Sequence, residues 1–386
     1  MKFPYSIDIR PSIASRITTG LFFLGAMIPV SPAAFASNNI IWSGSFETGD
    51  FMQWHNLDKT GPNFSQMPKY CRPPEGGGDG SCLEIVTDRV RIGNYAAKFT
   101  VKNSANGAEP DDCDIPEYSR CDRRRTELTG QATHSQYYDA MPYMSERWIS
   151  ISVYVPNNWD TGGNSWGPHV FQIKPRNESG LSPNVAISIE GNSWKLWHRW
   201  AREENPSSSD IPWQKQMFYT NDYPVTGGSP SWDDGVADFP NPDVSRDALG
   251  SIKKGGWTDW VIHTKFDARG SNEGGTGFLT MWKREGNGSW IKIVDIRPRI
   301  ITRGGKTFDR GIGYNSPANG NNGGFGIKAG LYMSKDRVWN LPRNRVVYLD
   351  NIKIGSQRAT FSDMSPDGSS PGSATAPAPP RNLRVQ

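Results

Sequence analysis

Trp148-Ile-Ser-Ile-Ser-Val-Tyr-Val155 alternates for eight residues. A period of two puts Ile149, Ile151, Val153 and Val155 on one face of a strand and the remaining side chains on the other. The same period recurs in Cys82-Leu-Glu-Ile-Val-Thr87, Ala96-Ala-Lys-Phe-Thr-Val101, Val185-Ala-Ile-Ser-Ile189 and Trp194-Lys-Leu-Trp-His-Arg-Trp200. It continues in Trp257–Phe266, Gly277–Lys283 and Val346–Ile354, with Gly-, Asn- and Asp-rich turns between. No amphipathic helix of more than a few turns interrupts them. Strands this numerous without intervening helices predict an all-β protein: an antiparallel two-sheet sandwich of the β-jelly-roll kind. A Pro/Gly-rich insert at 203–250 is long for a hairpin connection and reads as a functional or disordered loop.

Composition agrees and limits the function. The 386 residues carry Lys+Arg 43 against Asp+Glu 39, for a net charge of +4, with Gly 41, Pro 29 and Trp 15. Turn formers and rigid aromatic surface outweigh helix formers. The near-balanced charge lacks the basic field of nucleic-acid binders, so no nucleic-acid partner is expected. Many Trp residues favour sugar rings as partners. The chain is long enough to bury a core without staples, and a monomer is expected.

Residues 1–36 read as a signal peptide. Lys2, Arg10 and Arg16 form a basic start, Gly20–Val30 is a short apolar stretch, and Ala34-Phe35-Ala36 offers a cleavage site after Ala36. Removing these three cations together with Asp8 takes the net charge from +4 to +2. The apolar run is too short to span a bilayer and no later stretch replaces it. A secreted or periplasmic protein is therefore expected, with its main domain over 37–357. Cys71, Cys82, Cys113 and Cys121 fit disulfides in an oxidising compartment. Of three possible pairings, the local one, Cys71–Cys82 with Cys113–Cys121, is preferred. Zinc is disfavoured by the spacing and the absence of nearby His. From 358 to 386 the chain turns rich in Ser, Pro and Gly and is expected to be a disordered tail.

Three strand-like segments put large polar side chains at every second position. Arg123-Arg-Arg-Thr-Glu-Leu128 aligns Arg123, Arg125 and Glu127. In His169-Val-Phe-Gln-Ile-Lys174, Gln172 and Lys174 share a face and His169 takes the other. Phe325-Gly-Ile-Lys-Ala-Gly-Leu-Tyr332 aligns Lys328, Gly330 and Tyr332, where the glycine would leave room for a ligand. Each alone is an ordinary exposed sheet face. On adjacent strands they would form a surface suited to a polyanionic sugar.

These stripes resemble the signature strands of the jelly-roll polysaccharide lyases: R-T/S-E-L, Q-I-H and K-A-G-x-Y. The frame is similar to the group containing glucuronan lyase and heparin lyase I. Its marks are Ser45-Phe-Glu-Thr-Gly-Asp50 with Trp54, Ile85–Gly93, Arg147-Trp148 leading into Val153-Tyr-Val-Pro156, Trp257-Thr-Asp-Trp260 and Leu349-Asp-Asn-Ile352. The likeness spans about 40–355. It implies a concanavalin-like sandwich and an enzyme that cleaves a 4-linked uronate polymer (glucuronan-, alginate- or heparin-like) by β-elimination. There is one departure: Lys174 stands where the resembled strand has histidine. His169 has the wrong parity to replace it, and His198 or His263 would serve only if the fold brought one in.

The expected roles follow from the chemistry. Taking the C5 proton beside a carboxylate requires that carboxylate to be neutralised, a task for Arg125 and Gln172. Glu127 would orient Arg125. Tyr332 would be base and acid, its phenolate favoured by Lys328 and Arg125. Lys174, Arg123, Trp197 and His198 are the expected substrate contacts. The resembled group also carries calcium, for which Glu47, Asp50 and Asp350 would be the ligands of a structural clip. Two other readings compete. A sandwich glycoside hydrolase needs paired carboxylates, and its E-x-D-x-E strand is absent. A non-catalytic carbohydrate-binding protein fits the Trp content but not the convergence of Arg, Gln, Lys and Tyr.

Overall fold

The computed structural model describes residues 39–54, 82–101, 123–130, 141–159, 168–175, 183–200, 215–220, 249–303, 306–313, 324–334 and 344–371. The signal peptide expected at 1–36, Cys71, Cys113, Cys121 and residues 372–386 lie outside them. Strands are numbered along the chain. The larger sheet runs β12 (Ile291–Ile296), β11 (Phe278–Glu285), β10 (Gly256–Lys265), β5 (Glu146–Val155), β16 (Arg345–Gly355), β3 (Ala96–Val101), β2 (Leu83–Val86), with β1 (Ile40–Ser43) also on β16. The smaller runs β4 (Arg123–Gly130), β15 (Phe325–Ser334), β6 (His169–Pro175), β7 (Val185–Glu190), β8 (Ser193–Trp200), β9 (Lys215–Thr220). A separate hairpin joins β13 (Arg299–Arg303) and β14 (Lys306–Arg310). All of these strand pairs are antiparallel. The protein is an all-β antiparallel jelly roll. The expected loop at 203–250 contains β9, which extends the smaller sheet. No helix among the described residues is long and apolar enough to cross a membrane.

One hydrophobic core joins the inner faces of both sheets. It takes Ile149, Ile151, Val153 and Val155 from β5, and Phe171, Ile187, Leu196 and Leu331 from the smaller sheet. Trp194 of β8 meets Trp260 of β10 edge to face, ring centroids 5.3 Å apart, and both are fully buried. The polar alternates of β5 are buried as well. Ser150 Oγ donates to the Asn351 carbonyl (2.8 Å) and Ser152 Oγ to Asp259 Oδ1 (2.7 Å). Asp259 also accepts from Arg91 Nη2 (2.7 Å) and Arg284 Nη2 (2.9 Å), so this buried charge is paired and hydrogen-bonded.

The chain end supplies part of that cover. Thr360 caps a short helix, α1 (Phe361–Met364), through reciprocal bonds with Asp363. Ala359, Phe361 and Met364 pack with Val261 and Trp290 on the outer face of the larger sheet, and Asp367 pairs with Arg284 at 2.7 Å. The disordered tail expected from 358 is thus corrected: residues 358–371 fold onto the domain, because Phe361 and Met364 are apolar anchors inside an otherwise polar stretch.

Gly330 has a different purpose from the one its sequence context suggests. Its φ is +138°, and a Cβ there would lie 2.2 Å from the Thr126 carbonyl oxygen and 2.7 Å from Glu127 Cα. The glycine makes room for the neighbouring β4 backbone rather than for a ligand. Gly330→Ala is expected to cost about 3 kcal/mol, from strain at a positive φ together with overpacking. A thermal melt checks this, and an unchanged Tm would contradict it.

Candidate active site

The outer face of the smaller sheet is organised in two rows that cross the strands. Residues directly opposite in antiparallel strands share a face, about 4.8 Å apart. One row is Lys328, Gln172, Ala186 and Trp197, on β15, β6, β7 and β8. The other is Tyr332, His169, Ser188 and Lys195 on the same four strands. On the far side of β15, Arg125 is the register partner of Tyr332 and Glu127 that of Gly330. The backbones of Arg123 and Arg125 lie in β4, and their side chains are outside the described residues.

The second row exists because of an irregularity. From the inner row Ala329, Phe171, Ile187 to the outer row Tyr332, His169, Ser188, β7 advances one residue but β6 advances two. Val170 is the extra residue of a β-bulge, and both it and Phe171 point into the core. His169 therefore emerges on the same face as Gln172. The expectation that parity sends it to the opposite face is corrected: strict alternation does not survive the bulge.

Glu127 is the hub of the first row. It is 2% exposed, Gln172 Nε2 donates to its Oε1, and Lys328 Nζ lies 3.8 Å from its Oε2. Gln172 and Lys328 are themselves buried at 4% and 7% exposure. The buried carboxylate holds Gln172 by a hydrogen bond and Lys328 by an ion pair. Beside it the partly buried Tyr332 stacks on His169, centroids 5.6 Å apart and 20° between planes. His169 Nδ1 is 2.5 Å from Ser188 Oγ.

Other candidates sit elsewhere. His198 faces the inter-sheet core, fully buried, with its imidazole pushed down to about 3 by burial and further lowered by Arg310. It is a neutral core residue, which corrects its assignment as a substrate contact. His263 belongs to the outer face of the larger sheet, stacked on Trp148 (3.8 Å) and bonded to Glu146 (2.7 Å). Trp197 is on the site face but only 3% exposed, with Lys195 and Arg199 5.0 and 4.8 Å from its ring centre. It supports cations more than it presents an open ring. Lys174, opposite Gly326 on β6, is partly buried beyond Gln172. Ser188, Lys195 and Arg199 were missed by sequence reasoning, although their alternation with Ile187, Leu196 and His198 was a usable signal. Cys82 is fully buried and disulfide-bonded, its partner outside the described residues.

The expected calcium ligands do not come together as three. Glu47 accepts from the Asn94 amide (2.9 Å) and Asp350 Oδ2 from the Arg91 (2.7 Å) and Ile92 (3.0 Å) amides, so both hold one loop. Asp50 instead accepts from Thr48 Oγ1 (2.6 Å) and the Met52 amide (2.9 Å) within its own turn. No group of three His, Cys, Asp or Glu among the described residues is placed to hold a metal. The residues as arranged do not fit the clip.

Asp350 carries a testable consequence of its own. Burial, with Glu47 adding, pushes its carboxyl from the ordinary 3.8 up to about 7, against three backbone amides that lower it. The folded state thus holds this proton more tightly than the unfolded one. Its contribution to stability is complete below about pH 4 and is lost as pH rises through about 7. Melts of Asp350→Asn should show a weaker decline over that interval than the parent; identical slopes would refute the assignment.

The family model described as polysaccharide lyase matches residues 46–353. Among solved structures, the chain is similar to the endo-β-1,4-glucuronan lyase of the fungus Trichoderma reesei, with TM-score 0.45 and 15% identity over 74% of this chain and 90% of that one. It is also similar to the catalytic domain of the glycoside hydrolase family 131 protein of Coprinopsis cinerea (0.45, 12%, 86% and 100%). A third is the PL-14 alginate lyase of Aplysia kurodai (0.36, 11%, 72% and 87%). No curated protein matches the sequence. With a family model covering nearly the whole sandwich, from Phe46 to Lys353, the chain belongs to the polysaccharide lyase family.

Proposed function

We propose that this polysaccharide lyase is exported and cleaves a 4-linked uronate polymer by β-elimination, with β-linked glucuronate or mannuronate as the preferred unit. The observation that carries the reading is the placement of Tyr332 and Lys328 on one face of β15, beside the Glu127–Gln172 pair and the register position of Arg125. Gln172 has two amide hydrogens, one of them spent on Glu127, which leaves the other to meet a substrate carboxylate. Arg125 and Gln172 are assigned to neutralise that carboxylate as charge builds on it.

Tyr332 is assigned to take the C5 proton. The released electron pair forms the C4=C5 double bond as the C4–O4 bond breaks, and the same phenol returns a proton to the departing oxygen. One group can perform both transfers only when the C5 hydrogen and O4 lie on the same side of the ring. That holds for β-linked glucuronate and mannuronate and fails for guluronate and iduronate. Lys174 is assigned as a cation along the same face for a neighbouring carboxylate, whereas Lys195 is paired with Glu190 at 2.7 Å and Arg199 donates to the Pro183 carbonyl.

The test is a panel of glucuronan, polymannuronate, polyguluronate and heparin, followed by ultraviolet absorbance of unsaturated ends and by reducing ends. Both signals rising on glucuronan or polymannuronate is the expected result. Reducing ends without absorbance would mean hydrolysis and overturn the reaction. Cleavage confined to polyguluronate would overturn the single-tyrosine geometry.

A further inference from the structure

His169 has no part in the proton transfer and charge neutralisation assigned to Tyr332, Arg125 and Gln172, yet the fold goes to some length to place it. Without the Val170 bulge, its side chain would enter the core. Re-aiming one side chain is a known use of a bulge. Once on the site face, the imidazole is held from three directions. Ser188 Oγ fixes Nδ1 at 2.5 Å, the Trp197 ring meets it edge to face at 5.2 Å and 89°, and Tyr332 stacks against it.

Tyr332 needs such a wall. The residue two before it on its own strand is Gly330, which offers no side chain to pack against, and its partner on the β4 side is Arg125. On the β6 side, the described ring in contact with the phenol is that of His169. A proton carrier must hold its oxygen in line with C5 and then with O4, and small misplacements of such a group are expensive.

We propose that His169, locked by Ser188, is a positioning residue that sets the orientation of the Tyr332 phenol. The inference rests on the reading of Tyr332 as proton carrier, and its effect is exerted through that ring. His169→Ala is expected to lower kcat by about 10- to 100-fold with KM changed by less than about 2-fold. His169→Phe keeps a flat ring in the stack and should recover most of the lost kcat. Ser188→Ala should fall between the parent and His169→Ala.

The deciding measurement is a double-mutant cycle of His169→Ala with Tyr332→Phe, scored by initial rates of unsaturated-end formation. If His169 works through Tyr332, adding His169→Ala to Tyr332→Phe lowers the residual rate by no more than about 2-fold. A full additive loss would overturn the proposal, as would His169→Phe proving as slow as His169→Ala, or a loss confined to KM. His169→Phe also covers the case in which the alanine variant fails to fold. Tyr332→Phe retaining full activity would instead remove the proton-carrier reading beneath it, an outcome distinct from normal kcat in His169→Ala.

Discussion

Tyr332→Phe is expected to reduce kcat on the preferred polymer by about 1,000-fold or more, because one hydroxyl is assigned two proton transfers and each such transfer contributes about 10²–10⁴. The substitution removes a single oxygen and leaves the ring stacked on His169 and the strand paired with β4 and β6. Fold and polymer affinity should therefore change little. Initial rates of ultraviolet-absorbing ends at saturating substrate provide the measurement, with the melting temperature as the control for folding. A variant that keeps its rate would show that the phenol is not the proton carrier, whatever else Tyr332 contacts. A variant with a raised KM and an intact kcat would make it a binding residue.

Much of this site could be read from the chain because antiparallel strands translate sequence parity directly into faces. Lys328 and Tyr332 share a face as expected, and Gln172 lies opposite Lys328. The buried stripe Ile149–Val155 was equally legible. What escaped reading are features that parity does not encode. An extra residue such as Val170 leaves no trace where its neighbour Phe171 is also apolar, yet it decides the face of His169. Ser150 and Ser152 look solvent-facing, but distant chain segments (Arg91, Arg284 and the α1 region) cover that side of the sheet. The misassigned His198 is the opposite case. It alternates with Leu196 and Trp194 on the core face, while Trp197 lies on the other, so parity alone excluded placing both at one site. The three-carboxylate clip failed because Asp50 folds back on its own turn, a local preference of Asp that competes with any long-range partner.

Gln172→Ala tests the electrophilic half of the reaction and is expected to lower kcat by about 100- to 1,000-fold, the usual loss when a preorganised donor to developing charge is removed. Two effects are combined in that substitution and can be separated. Gln172 is 4% exposed and donates to Glu127, which is itself 2% exposed, so alanine also leaves a buried carboxylate oxygen without its donor. That alone should cost about 1–3 kcal/mol of stability. Lys328 Nζ, 3.8 Å from the other oxygen, is too distant to replace a direct hydrogen bond. Gln172→Glu keeps the shape but sets a second carboxylate against Glu127. Like charges at that range oppose joint ionisation, and whichever proton is retained, a negative wall then faces the substrate carboxylate. Its signature should be a raised KM together with the fall in kcat, whereas the alanine variant falls mainly in kcat. If Gln172 only braced Glu127, both variants would lose stability in thermal melts while keeping kcat within a few-fold of the parent. That pattern would leave carboxylate neutralisation to Arg125.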